Sequence, residues 1–138
     1  MQEIEHALRP IGFIQSPLHN RKNAPRQGDE DAPDAWLVVR PEVIEALDGL
    51  SVGDEIIVLT WFHQSERDVL KVHPRGEKHR PLMGVFATRS PDRPNPIGLH
   101  RVQILEMAGD RLKVGPIEAI DSTPVVDIKP VLSNVMDS

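Results

Sequence analysis

Short apolar runs, many of them alternating with polar positions, recur along the chain. Alternation of period two puts successive side chains on opposite faces of a strand, so each run predicts a β-strand with a buried face. The runs are IGFIQ from Ile11, AWLVV from Ala35, EIIVLTWF from Glu55, DVLKV from Asp68, GVFAT from Gly84, HRVQILEM from His100 and DRLKVG from Asp110. A further run follows a turn near Asp121, with Val125, Val126 and Ile128 in strand order. The AGD between two of the runs predicts a hairpin, because Gly109 can supply a positive φ. Helical spacing is confined to PEVIEALDGL, residues 41–50: Pro41 opens it, Val43, Ile44 and Leu47 repeat on one side, and Gly49 stops it. Frequent strands with so little helix predict a mainly β domain, an antiparallel barrel or sandwich with one short helix and long loops.

Three segments break the pattern. Residues 16–34, SPLHNRKNAPRQGDEDAPD, are long and polar, and residues 72–83, VHPRGEKHRPLM, are basic and interrupted by prolines. The third, TRSPDRPNPIG at residues 88–98, lies between two predicted strands and holds Pro91, Pro94 and Pro96. Proline fixes φ and donates no backbone hydrogen bond, and it pushes the preceding residue toward extended geometry. PDRPNP is therefore a stiff connection outside any ladder. Stiffness reduces the entropy lost on binding a ligand. Arg89, expected at a strand end, offers a planar guanidinium suited to a carboxylate or phosphate. Asn95 is expected to satisfy backbone groups that the prolines leave unpaired. A rigid turn with arginines in surface salt bridges explains the same residues equally well.

Length narrows the picture to one domain, residues 1–138. The chain has no cysteine, which excludes disulfides, thiolate zinc sites and cysteine nucleophiles and agrees with a cytoplasmic location. No apolar run approaches the roughly 20 residues of a membrane span, and the N-terminus does not read as a signal peptide. Net charge is −5, against a general nucleic-acid coat. The distribution is uneven: from Lys71 to Arg101 seven Lys and Arg stand against Glu77 and Asp92, a local +5 that leaves −10 elsewhere. That imbalance suggests a local anion site, although a solvated basic face is the commoner explanation of such a run.

Other chemistry is sparse. His63 and Gln64 lie in WFHQS at a strand end beside two aromatics, where a purine could be received. Pro25, Arg26 and Gln27 could present polar groups to a ligand, and Asp121 could cap its turn or take a ligand hydroxyl. Each of these has an ordinary structural explanation as well. The six histidines form no HxH or HExxH pattern, and no metal site is expected. No GxGxxG or Walker loop occurs, so a Rossmann cofactor site is unsupported.

The block GVFATRSPDRPNPIGL closely resembles the signature of the TsaA-like, or TrmO-like, family. IGFIQSP, PRQ, FHQ and DSTPVVDIKP match in the same order, so the resemblance runs from Ile11 to about Ser138. These are methyltransferases that use S-adenosyl-L-methionine to methylate threonylcarbamoyladenosine in tRNA beside the anticodon. The resemblance implies a small β-barrel that works as a homodimer, with cofactor sites at or near the subunit interface. Carried over motif by motif, the cofactor residues are Pro25, Arg26 and Gln27; His63 and Gln64; Arg89; Leu99, through its backbone; and Asp121, Ser122, Thr123 and Pro124. On this reading Arg89 neutralises the methionine carboxylate or steers a phosphate. Asp121 and the glutamines hold ribose and adenine edges. Methyl transfer is an in-line displacement in which alignment supplies much of the rate. An exocyclic amine bearing a carbonyl is a poor nucleophile until deprotonated, and His63 and Asp121 are the candidate bases. The alternatives keep the cofactor but change the acceptor to another RNA or a small molecule, or make the chain a binding module without turnover. A cupin-like metal barrel ranks last, because its spacing is absent. Longer family members carry a further C-terminal domain, and the chain's negative charge weakens the tRNA expectation relative to the cofactor expectation.

Overall fold

The structure, a computed structural model, describes residues 3–19 and 32–132. Among the described residues eight strands form: β1 (Gly12–Gln15), β2 (Ala35–Val39), β3 (Glu55–Trp61), β4 (Lys71–Val72), β5 (Met83–Gly84), β6 (Ile97–Ala108), β7 (Arg111–Gly115) and β8 (Pro124–Pro130). Six of them close an antiparallel barrel in the order β1-β2-β7-β6-β3-β8, while β4 and β5 pair separately as a small ribbon. The barrel, one of the two architectures open to the alternation, is the one the family resemblance implies. Among the described residues no helix is long and apolar enough to cross a membrane.

The inward face follows the alternation directly. Ile14, Leu37, Ile56, Val58, Ile104, Leu112, Val114 and Val125 have no exposed surface and form one core cluster. The predicted hairpin joins β6 to β7, with Ala108 opposite Arg111 and Gly109 at φ 63°. The predicted helix is a 3-10 helix, Pro41–Leu47, with Leu47 buried and Val43 and Ile44 packed on the core. Gly49 ends it at φ 98°. Its ends close with the tighter i→i+3 bonds, Val43 N–H to the Arg40 oxygen at 3.1 Å and Asp48 N–H to the Glu45 oxygen at 3.2 Å.

Two predicted strands are corrected. DVLKV shrinks to the two residues of β4. GVFAT is not a core strand: Met83 and Gly84 pair with β4, and Val85–Ala87 form a 3-10 turn. Val85 is buried while Phe86 is 84% exposed, so the apolar run reads as a strand only until its neighbours turn out to be prolines and loops. The following strand begins earlier than expected, at Ile97, and its first residues pair in register with β3: Trp61 opposite Ile97, Thr60 opposite Gly98, and Leu59 opposite Leu99.

Candidate functional site

The proline block is held by groups on both sides. Its own Arg93 donates to the backbone oxygens of Val85 and of Thr88, the latter at 3.1 and 3.2 Å. From the loop after β3, Arg67 Nε donates to the Pro94 oxygen at 2.6 Å and its Nη2 to Asn95 Oδ1 at 2.8 Å. The same guanidinium lies 5.2 Å from the Trp61 ring centre, a cation–π placement. Glu66 N–H donates to Asp92 Oδ1 at 2.9 Å, Arg93 N–H to the Glu66 oxygen at 3.1 Å and Phe62 N–H to the Pro96 oxygen at 2.8 Å. Asn95 therefore does not satisfy the proline-flanked backbone as expected. Its side chain accepts from Arg67, and arginine side chains do that work because each reaches two carbonyl-type oxygens at once.

Arg89 takes no part in this clasp and is exposed. It lines a broad cleft of about 2020 Å³ together with His63, Gln64, Leu99 and Thr123. Five of the predicted cofactor residues are thus brought to one place by four elements: the turn after β3, the turn before Ser90, the start of β6 and the turn before β8. His63 and Gln64 sit on a turn closed by Ser65 N–H to the Phe62 oxygen at 3.0 Å, and both side chains are exposed. Leu99 points outward, 47% exposed. Phe86 and Met83 add exposed apolar surface, and Lys71, Arg75, Lys78 and Arg80 add positive charge to the same cleft. The local excess of cations is therefore gathered on one face. His73 and His79 do not converge: His73 Nδ1 lies 2.8 Å from the Arg80 oxygen and His79 is 3.5 Å from Glu77.

The last motif makes several contacts within the fold. Ser16 N–H donates to Asp121 Oδ1 at 3.0 Å, tying the end of β1 to the turn before β8. Ser122 holds φ 68° and donates its N–H to the Ile14 oxygen at 2.7 Å. Thr123 is fully buried, with its hydroxyl donated to the Ile120 oxygen at 2.6 Å. Pro124 opens β8 opposite Phe13. Of these four only Thr123 lines the cleft. Pro25, Arg26 and Gln27 lie outside the described residues.

Three contributors were missed by sequence reasoning. Gly98 faces inward where a Cβ would stand 2.3 Å from Phe62 Cζ and 2.5 Å from Thr60 Oγ1, so only glycine lets the Phe62 ring close over β6. His100 packs edge-on against that ring at 5.7 Å and is 3% exposed. Its Nε2 lies 2.8 Å from Thr60 Oγ1, and its Nδ1 lies 2.9 Å from Glu118 Oε1. The carboxylate is off the ring's N–H line, so Nδ1 has a charged neighbour without an aligned hydrogen bond. Strand period two in HRVQIL already puts His100 on the face of Val102 and Ile104; the hairpin about Gly109 runs the chain of Glu118 back toward His100, and the shifted register with Gln103 opposite Gly115 sets the two level. Arg101, also on the cleft, donates to Glu55 Oε1 at 2.8 Å. That hydrogen bond, helped by the guanidinium charge and opposed by slight desolvation, lowers the Glu55 carboxyl from its ordinary pKa.

The domain family described as the tRNA-methyltransferase O N-terminal domain matches residues 13–138. The chain is 42% identical over 135 residues to "Probable S-adenosyl-L-methionine-binding protein" of Methanothermobacter thermautotrophicus, covering 98% of this chain and 96% of the relative. It is 44% identical over 122 residues to the S-adenosyl-L-methionine-binding protein of Archaeoglobus fulgidus, covering 88% and 86%. A crystal structure of TrmO from Pseudomonas aeruginosa superposes with a TM-score of 0.74 at 33% identity, over 98% of this chain and 61% of that one. A second crystal structure of TrmO gives 0.75 at 35% identity, over 98% and 62%. The chain thus spans about three fifths of those solved chains and nearly all of the Methanothermobacter relative. With the barrel, the clasped proline block and the matched residues in agreement, the chain belongs to the family of the tRNA-methyltransferase O N-terminal domain.

Proposed function

We propose that this protein binds S-adenosyl-L-methionine in the cleft and transfers its methyl group to the exocyclic nitrogen of threonylcarbamoyladenosine in tRNA, as a cytoplasmic homodimer. The observation that carries the reading is the convergence of His63, Gln64, Arg89 and Leu99 on one cleft, in a family whose relatives are named for this cofactor. The chemistry of the set fits the ligand. An exposed guanidinium suits the methionine carboxylate, amide and imidazole groups suit adenine and ribose edges, and Leu99 gives apolar surface beside them. At about 2020 Å³ the cleft exceeds the ~300–1,000 Å³ of an ordinary small-molecule pocket, which leaves room for a cofactor and a macromolecular acceptor together.

The cofactor supplies an electrophilic methyl group on a sulfonium. The protein's part is to hold the sulfonium carbon in line with the acceptor nitrogen, which is where most of the acceleration of such a displacement originates. Arg89 anchors the amino-acid end, and the clasp around Pro94 and Pro96 prevents that wall from shifting. Lys71, Lys78 and Arg80 on the cleft rim offer phosphate contacts.

A second reading, a binding module without turnover, is favoured by the net charge of −5, since tRNA affinity depends on phosphate neutralisation. Calorimetric titration with S-adenosylmethionine, followed by bulk tRNA and mass analysis of its nucleosides, separates the two. Binding with a methyl gain on threonylcarbamoyladenosine is the expected outcome. Binding without methylation leaves the module, and no binding removes both readings.

A further inference from the structure

A methyl transfer to a carbonyl-bearing amine needs somewhere for the nitrogen's proton to go, and the two bases expected from sequence are poorly placed for it. Asp121 already accepts a backbone N–H on Oδ1 and does not line the cleft. His63 lines the cleft but is exposed on a turn, and no hydrogen bond orients its ring among the described residues. A proton acceptor works best when a second group holds it in place.

Glu118 has such a group beside it, in close contact with its carboxylate though not in an aligned hydrogen bond. It follows β7, lines the same cleft as His63, Gln64 and Arg89, and keeps a side chain 18% exposed. One of its oxygens lies 2.9 Å from His100 Nδ1. The imidazole is itself immobilised: it is 3% exposed, Nε2 meets Thr60 Oγ1 at 2.8 Å, and Phe62 packs against its ring. An imidazole on the inward face of a barrel otherwise lined by Val102, Ile104 and Val58 is expensive to bury, and apolar side chains would fill that space without cost. The arrangement makes sense if the ring serves the carboxylate that faces it. His100 is too buried to touch an acceptor; Glu118 is not.

We propose that Glu118 is the proton acceptor of the methyl transfer and that His100, held by Thr60, is its positioning residue. This rests on the methyltransferase reading above. In the step, the acceptor nitrogen's electron pair forms the new N–C bond and the S–CH3 bond breaks, its pair returning to sulfur. The N–H proton passes to the Glu118 carboxylate. The cationic cofactor, the neutral N–H and the carboxylate become a neutral thioether, a methylated amine and a carboxylic acid, which then loses its proton to water in the cleft.

The test is single-turnover methylation of bulk tRNA carrying threonylcarbamoyladenosine, with S-adenosylmethionine titrated calorimetrically into the same preparations. Glu118→Gln should bind the cofactor as the wild type does while transfer falls by roughly 10²- to 10⁴-fold, and Glu118→Asp should recover part of the rate. His100→Leu should slow transfer by roughly 10-fold or more without raising KM for tRNA, and His100→Asn, which restores an N–H on that side, should partly rescue it. Wild-type transfer in Glu118→Gln overturns the proposal while leaving the methyltransferase reading intact. Loss of cofactor binding together with transfer in that variant also overturns it, by making Glu118 part of the cofactor pocket. A wild type that binds the cofactor and methylates nothing in tRNA defeats the underlying reading, and the proton acceptor with it.

Discussion

Arg89 and Arg93 stand four residues apart in one proline-rich block and do opposite things. Arg93 reaches back into the turn, donating to Val85 and Thr88 oxygens, whereas Arg89 is exposed on the cleft. Removing a charged donor strands its acceptors, at about 1.5–3 kcal/mol for such bonds. Arg93→Ala should therefore lower the denaturant midpoint by an amount of that order, in chemical unfolding followed by circular dichroism. Arg89→Ala should leave the midpoint unchanged and weaken S-adenosylmethionine binding in calorimetry. Equal destabilisation by the two substitutions would contradict this division of roles.

At the scale of elements, the site depends on how the loop after β3 closes over the start of β6. The ladder from Trp61–Ile97 to Leu59–Leu99 fixes the register, and Gly98 leaves the gap that the Phe62 ring occupies. A methyl group there must displace either Phe62, whose N–H is bonded to the Pro96 oxygen, or the buried Thr60 hydroxyl. Overpacking of this kind costs about 1–3 kcal/mol. Gly98→Ala should thus lower the thermal midpoint and also weaken cofactor binding, because the Phe62 shift moves His63 and Gln64. A variant with lowered stability and unchanged affinity would show that the turn is placed independently of the ring.

For the whole molecule, closing the barrel leaves no unpaired edge among its six strands, so the barrel offers a second copy the side chains of its outer face rather than a strand edge. Leu82, Phe86, Ile97 and Leu99 are all exposed apolar residues, and all line the cleft. The homodimer proposed above would bury them and place the two cofactor sites against the partner. Ile97→Asp, an outward position opposite Trp61, should shift the sedimentation coefficient of the protein from dimer to monomer while the far-ultraviolet spectrum is retained. A wild type that sediments as a monomer at all concentrations would remove the interface.

Much of the architecture was determined by the sequence alone. Period-two alternation marked most of the barrel strands and the inward residues, because a strand with one buried face admits no other pattern. Gly109 marked the hairpin for an equally local reason, its positive φ. The family motifs marked His63, Gln64, Arg89 and Leu99, which meet in the cleft. Tertiary structure alone decided the rest. GVFAT has the composition of a strand and becomes a ribbon end and a 3-10 turn, because the barrel closes without it and each of its six strands already has two neighbours. Arg93, Arg67 and Asn95 could each have bound a ligand, until the distances between loops showed the guanidinium groups spent on carbonyls. Glu118 and His100 are eighteen residues apart in sequence, with β7 between them. The β6–β7 hairpin brings the carboxylate to 2.9 Å from the imidazole: past the irregularity between Ile104 and Glu106, with Gln103 opposite Gly115, its register carries Glu118 back to the level of His100, and that register shift is decided by strand pairing rather than marked by any local pattern.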